Sequence, residues 1–311
     1  MMGGNPHFDD VDRELVTILH RDGRASFRAV ASELDISEQA VARRFHRLAT
    51  SGLLRVTALP APHALGVVHL ILRMRAEGGT ASRVAAAVAA RVDTPWVDML
   101  AGQADLTFTT HTRPDGGDIA GLLDALSRTT GVRELIPSFV LRIFTSPASW
   151  FDQTPALDAF DHRLIAALQV DARANYSDLA ARLATTAPTV RRRLDRLREQ
   201  HILDIVTEYP LALVGYPIET MIWISVAPGA IETVGSALAA DPRVRFAASI
   251  TGPANLMVAT YHRDTSDLYR MQTNTLGGLD GIQHFEITPI VRTVKRHGLL
   301  RNGSLISSEQ R

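Results

Sequence analysis

Apolar residues recur at Val11, Leu15, Ile18 and Leu19, the i, i+4, i+7, i+8 spacing that lines one face of a helix. Gly23 ends that helix. Ser26 can cap a second helix with Val30, Ala31 and Leu34 on its inner face, and after a turn at Asp35-Ile36, Ser37 can cap a third with Val41, Phe45 and Leu48 inward. Three helices with a short turn between the second and third predict a helix-turn-helix. The apolar run 53–57 then predicts a strand, read as a wing. Beyond it, 67–75 is rich in β-formers, 81–92 reads as an Ala/Val helix, two strands flank Gly102, Ile119, Leu122, Leu123 and Leu126 keep helical period, and a last strand covers 134–144. The order βαββαβ predicts a ferredoxin-like sheet with two helices on one face.

The whole pattern occurs twice. Asp9, Asp12, Leu15, Leu19, Asp22, Arg24 and Ala31 return 149 residues later as Asp158, Asp161, Leu164, Leu168, Asp171, Arg173 and Ala180, and Val41, Arg43, Arg44, Arg47 and Leu48 return as Val190, Arg192, Arg193, Arg196 and Leu197. Gly102 and Leu106 face Gly252 and Leu256 at a spacing of 150, so the copies differ by about one loop residue. In copy two, the strand after the third helix covers 202–207, and the sensor-type segments cover 221–226, 231–239, 244–250, 256–261, 268–276 and 282–294. The expected organisation is α+β, in five parts. Two winged helix-turn-helix domains span 8–60 and 157–210, two ferredoxin-like domains span 66–145 and 215–295, and a linker at 146–156 carries Trp150 and Phe151, expected to dock on a neighbouring domain. Apolar side chains such as Met221, Ile222, Trp223 and Ile224 would leave an open sheet face bare, so two such sheets should pair.

The third helices carry the candidate chemistry. A helix entering the major groove needs donors and acceptors for base edges and cations for phosphates. Copy one offers Ser37, Gln39, Arg43, Arg44, His46 and Arg47; copy two offers Thr186, Thr189, Arg191, Arg192, Arg193 and Arg196, with Pro188 in the first turn, where a missing N–H costs little. A polar helix face is otherwise a solvated face. The buried positions agree between copies while the outward ones do not: Gln39 faces Pro188, Ala42 faces Arg191, His46 faces Asp195, and in the presumed wings Arg55 faces Asp204.

Leu15 to Leu48 with Asp22-Gly23-Arg24, the segment from Ser37 to Leu48, Gly66 and the Gly-x-x-Asp turn at Gly102 resemble the Lrp/AsnC family of transcription regulators, and the resemblance runs through the chain twice. It implies a helix-turn-helix reader of double-stranded DNA joined to a RAM-type sensor domain that dimerises and binds an amino acid or related metabolite, with the effector at the Gly-x-x-Asp turn. Carried over, that makes Gly102, Asp105, Gly252 and Asn255 the effector residues; loop N–H groups can hold a carboxylate and Asp105 an ammonium, which Asn255 cannot neutralise. The same residues also suit a plain hairpin turn. Most relatives carry one copy per chain, so this chain resembles a fused dimer, itself expected to form a homo-oligomer, most simply a dimer.

Composition narrows the alternatives. There is no cysteine, which removes disulfides, thiol nucleophiles and thiolate metal sites. Lys+Arg and Asp+Glu are 33 each, so any DNA-binding charge must be local. Lys295 is the only lysine. No apolar run reaches the ~18 residues of a membrane span and no secretory leader is visible, from which a cytoplasmic protein is expected. His69, His111, His262 and His284 have no counterparts in the other copy and read as isolated strand-end residues; no metal, cofactor or catalytic residue is expected. One enzyme shares this two-domain build: siroheme decarboxylase, which places a His-Cys-Tyr-x-x-Arg-like stretch beside its substrate, and 97–105 and 246–255 lack it. A sensor that acts by protein contacts without DNA is the third alternative.

Overall fold

The computed structural model describes residues 8–77, 79–102, 105–113, 119–146 and 157–307. Copy one gives α1 (Asp10–Arg21), α2 (Phe27–Leu34), α3 (Glu38–Thr50), β1 (Arg55–Pro60), β2 (Val68–Ala76), α4 (Thr80–Ala89), β3 (Trp96–Leu100), β4 (Leu106–Thr112), α5 (Ile119–Ser127) and β5 (Val132–Ile143). Copy two repeats the order: α6 (Ala159–Val170), α7 (Tyr176–Leu183), α8 (Ala187–Glu199), β6 (Leu203–Glu208), β7 (Ile218–Val226), α9 (Ile231–Ala239), β8 (Val244–Ile250), β9 (Leu256–His262), α10 (Thr265–Arg270) and β10 (Ile282–Arg296), followed by β11 (Leu299–Asn302). A π-helical turn, Met271–Leu276, continues α10. The α+β class and the alternation of helix-turn-helix and ferredoxin-like segments are as the sequence predicts. Trp150, Phe151 and most of the presumed linker lie outside the described residues.

The chain divides into two compact units, and each takes its parts from both copies. One holds 8–65 with 157–214 and 304–307, the other 66–146 with 215–303.

In the first unit the helix starts follow from their caps. Asp9 and Asp158 each accept from the N–H three residues on, while Asp12 and Asp161 return the bond to the cap N–H, two matched capping boxes. Ser26, Ser37, Asn175 and Thr186 cap the second and third helices. The turn between them needs a left-handed residue, supplied by Asp35 (φ 52°) in copy one and Ala184 (φ 54°) in copy two. Asp35 is the easier occupant, since Asp tolerates this region better than a Cβ-bearing apolar residue.

The strands after the third helices are not separate wings. β1 and β6 pair with each other, antiparallel, from Arg55 opposite Glu208 to Pro60 opposite Leu203, so the two copies share one ribbon. Beyond the ribbon the chain crosses over. Ala58, Ala61 and Ala64 pack in the core of α6–α8, and Tyr209, Leu211, Leu213 and Val214 pack in the core of α1–α3. Arg55, at the start of the ribbon, donates to the Val170 carbonyl (2.9 Å). Asp204 is exposed to solvent, yet desolvation by the atoms around it pulls its carboxyl pKa upward.

In the second unit the expected pairing of sheets is present, with closed edges. Strands run in the order β5-β2-β4-β3 in copy one and β10-β7-β9-β8 in copy two, and β5–β8 and β3–β10 pairings join them into an eight-stranded antiparallel barrel. Strand alternation then gives every strand two different tasks. Leu70, Leu72, Met74, Leu106 and Phe108 point outward onto α4 and α5, as Ile222, Ile224, Leu256 and Val258 do onto α9 and the Met271–Leu276 turn. The alternate residues, among them Ile71, Val140, Met221, Trp223, Ile250 and Met257, form a third core inside the barrel.

Candidate functional site

Glu38–Thr50 and Ala187–Glu199 are the matched third helices, and each turns Val41, Leu48 or Val190, Leu194, Leu197 into its core. The opposite face of α3 exposes Ser37, Gln39, Arg43 and His46; that of α8 exposes Thr186, Pro188, Arg191 and Arg192. Arg43 and Arg192 occupy the same position and neither has an ion pair among the described residues. Arg191 lies 3.7 Å from Asp195 one turn on, and the Thr186 and Thr189 hydroxyls share a 2.9 Å hydrogen bond. His46 packs its edge toward Phe27 and Phe45.

Four of the expected DNA-contacting arginines are committed elsewhere. Arg44 donates to Asp9 (2.8 and 2.7 Å) and to Asp12 (2.8 Å), and Arg47 donates to the other Asp12 oxygen (2.5 Å). Arg193 and Arg196 do the same toward Asp158 and Asp161. Asp12 and Asp161 are fully buried, and an ionised carboxylate is tolerated there because two guanidiniums meet it. Burial pulls the Asp9 carboxyl upward, but the Arg44 and Asp12 hydrogen bonds outweigh it and hold the pKa below the usual range. Arg44, Arg47, Arg193 and Arg196 are therefore braces between the first and third helices. The spacing was the available signal, since an acidic pair and an arginine pair both recur three residues apart in each copy.

The Asp-Gly-Arg turn has a role that periodicity did not reveal. Arg24 donates to the carbonyls of Ala172 and Ala174 (3.1 Å to the latter) and stacks over Tyr176 at 4.8 Å. Arg173 reciprocates to Gly23 and Ala25 (2.6 and 2.9 Å), and lies over Phe27 and Phe45 at 4.7 and 5.0 Å. Burial and the neighbouring Arg24 charge depress the Arg173 pKa. Thr57 and Thr207 add a second reciprocal pair, each hydroxyl donating to the last turn of the other copy's first helix, at Gln169 and Leu19. Two helix-turn-helix segments are thus locked into one body.

At the sensor turns, Gly102 (φ 127°) and Gly252 (φ 118°) adopt backbone conformations that favour glycine. The side chains expected to meet an effector instead close the turn. Asp105 accepts from the Ala76 N–H (2.8 Å), while Asn255 both accepts from the Val226 N–H (2.8 Å) and donates to the Val226 carbonyl (2.7 Å). Each turn also rests on the other copy's last strand: Ala101 donates to the Pro289 carbonyl and Thr251 to that of Phe139, both at 2.9 Å.

The barrel interior is unequal in the two copies. At a spacing of 150, Arg73, Asp98, Thr107 and Thr109 correspond to Trp223, Ala248, Met257 and Ala259. His69 and His111 are not isolated, since they oppose each other across β2 and β4 with ring centroids 5.0 Å apart. Both His69 nitrogens, the hydroxyls of Thr107 and Thr109, the Trp223 N–H and all three Arg245 nitrogens are buried without a hydrogen-bond partner. Arg245 stacks on Trp96 at 4.3 Å, with Glu219 at 3.5 Å and Asp98 at 3.9 Å, and burial lowers its pKa to about 10. Among the described residues no cluster of His, Asp or Glu has metal-binding form, and no helix is long and apolar enough to cross a membrane.

Sequence profiles match in three places: the AsnC-type helix-turn-helix domain at residues 8–49 and again at 157–198, and the Lrp/AsnC ligand binding domain at 219–300. An uncharacterised HTH-type transcriptional regulator of Pyrococcus abyssi is 32% identical over 146 residues, which is 92% of that protein and 47% of this chain. HTH-type transcriptional regulator FL11 of Pyrococcus furiosus is 25% identical over 90% of its length and 43% of this chain. Both relatives are therefore about one copy long. Among solved structures, the siroheme decarboxylase NirDL superposes over 96% of this chain and 95% of its own, with TM-score 0.65 at 17% identity, a likeness of fold alone.

Proposed function

We propose that this chain, which belongs to the Lrp/AsnC family, is a sequence-specific DNA-binding transcription regulator whose barrel unit answers to a small amino acid-like effector. The observation that carries the reading is the pair Arg43 and Arg192. Both are exposed at the same position of the third helix, and both are left out of the carboxylate braces that consume the neighbouring arginines. An arginine so placed can bond guanine O6 and N7 together. Ser37, Gln39 and His46 on α3, and Thr186, Thr189 and Arg191 on α8, supply the remaining polar contacts. Local charge carries the phosphate attraction, since the net charge is zero. In this reading the effector meets the backbone of the turns at Gly102 and Gly252, because the Asp105 and Asn255 side chains are spent on turn closure. The test is binding of the chain to duplex selected from a random pool, at fixed salt. Arg43→Ala and Arg192→Ala should each weaken it by about 1–3 kcal/mol; unchanged dissociation constants in both variants would refute the assignment.

One observation favours a second reading, as an enzyme of the siroheme decarboxylase type. The whole-chain likeness to NirDL coincides with a barrel interior rich in unpaired buried donors, and such donors suit a substrate bearing several carboxylates. Anaerobic incubation with siroheme, followed by mass spectrometry, decides it: loss of carbon dioxide from the tetrapyrrole establishes the enzyme, and unchanged siroheme rules it out.

A further inference from the structure

We infer that one chain is by itself the complete reader of a single asymmetric duplex element, whose two halves share one guanine contact and differ around it; this rests on the DNA-binding reading above. Two recognition helices are needed for two half-sites, and ordinarily a second subunit brings the second one. Here α3 and α8 already belong to one body. The β1–β6 ribbon runs six residue pairs from Arg55–Glu208 to Pro60–Leu203, Arg24 and Arg173 reach across to each other's carbonyls, and Thr57 and Thr207 bond the opposite first helices. The barrel's strand pairing is likewise completed within the chain, because both of its junctions, β5–β8 and β3–β10, join one copy to the other. The half-site spacing is set before DNA arrives.

The two reading faces are chemically unlike. Arg43 and Arg192 coincide, which assigns one guanine to each half. Beside them, Gln39 can give adenine two hydrogen bonds, whereas Pro188 at the same position has no side-chain donor or acceptor. His46 is matched by Asp195, and Ala42 by Arg191. Asp195 is held by Arg191 across one helical turn, at 3.7 Å. That contact sets a cation beside the carboxylate and so offsets its repulsion of phosphates. The α3 half is expected to require an adenine that the α8 half ignores.

Selection from a randomised duplex pool with the full chain, followed by sedimentation of the chain on the enriched duplex, tests this. The expected result is a motif with two unlike halves, one chain bound per element. Replacing the α3 half by a second α8 half should weaken binding about tenfold or more. Gln39→Ala should relax base preference in one half only, and Arg191→Ala in the other only. Enrichment of an inverted repeat of one half-site, or two chains on each element, overturns the inference while DNA binding stands. A folded chain that enriches no sequence overturns both.

Discussion

The two units treat the duplication in opposite ways. In the helix-turn-helix unit the copies agree inside and, Arg43/Arg192 apart, differ on the outward face of the third helix: Val41/Val190, Leu48/Leu197 and the Asp12–Arg44–Arg47 brace with its Asp161–Arg193–Arg196 counterpart match, while Gln39/Pro188 and His46/Asp195 do not. In the barrel the helix-facing residues match in character, as Leu72/Ile222, Leu106/Leu256 and Phe108/Val258 show, and the divergence is in the interior. The reason is who shares each surface. A brace lies within one copy and a helix–sheet core mostly does, with only Val294 and Leu300 or Phe144 added from the other, so both copies must keep them. The barrel interior is filled by both copies together, so only the sum must fit, and a polar residue of one can be met by the other. Arg73 stacks on Trp223 at 4.4 Å and pairs with Glu286 at 2.8 Å; Thr293 donates to Asp98 at 2.6 Å.

Acid should separate the units most strongly. Burial, reinforced by His111, takes the His69 pKa to about 3; burial takes that of His111 to about 4; burial with Arg296 and Arg245 nearby takes that of His297 to about 3. The unfolded chain binds these protons near pH 6.5 and the folded barrel does not. Barrel stability therefore falls as pH drops below about 6.5, by up to ~1.4 kcal/mol per pH unit for each histidine, and the fall ends near pH 4 for His111 and near pH 3 for His69 and His297. Asp9 and Asp158 have depressed pKa values, so their contribution persists until pH falls below their unfolded value near 3.8. Hydrogen exchange at pH 7 and pH 5 should show the barrel opening first; equal loss of protection in both units would break the comparison.

Next in size is the brace. Asp12→Ala removes a fully buried carboxylate from under two guanidiniums and is expected to cost about 3–5 kcal/mol, read by urea denaturation. Asp161→Ala should act in the same direction and to a similar degree, because the braces match. A large inequality would show that the copies differ inside this unit as well.

The smallest effect tests the turns. Asn255→Asp deletes the donation to the Val226 carbonyl and should destabilise the barrel by ~1 kcal/mol in the same titration, whereas Asp105→Asn can supply that missing donor to its own strand. Destabilisation by Asp105→Asn alone would reverse the order of the two turns.

Elements, caps and the repeat were legible in the linear pattern because helical period, capping residues and a 149-residue offset are properties of neighbours along the chain. Val41, Leu48, Ser37 and Thr186 sit where spacing puts them. The partner of each strand was not legible. β1 and β6 are about 150 residues apart, and an apolar strand after a third helix suits a wing as well as a shared ribbon; the choice rests on the ladder bonds and on cores completed by residues from the other copy. For the same reason the run of arginines on one helix, although two of them repeat the spacing of the acidic pair, became divided between Asp9, Asp12 and the outward face only once the first and third helices were packed together. His69 and His111 looked isolated in sequence because the register that sets them face to face belongs to the sheet. Local geometry follows from adjacent residues, but the environment of a charge follows from what the fold brings beside it, and only the tertiary structure decided that.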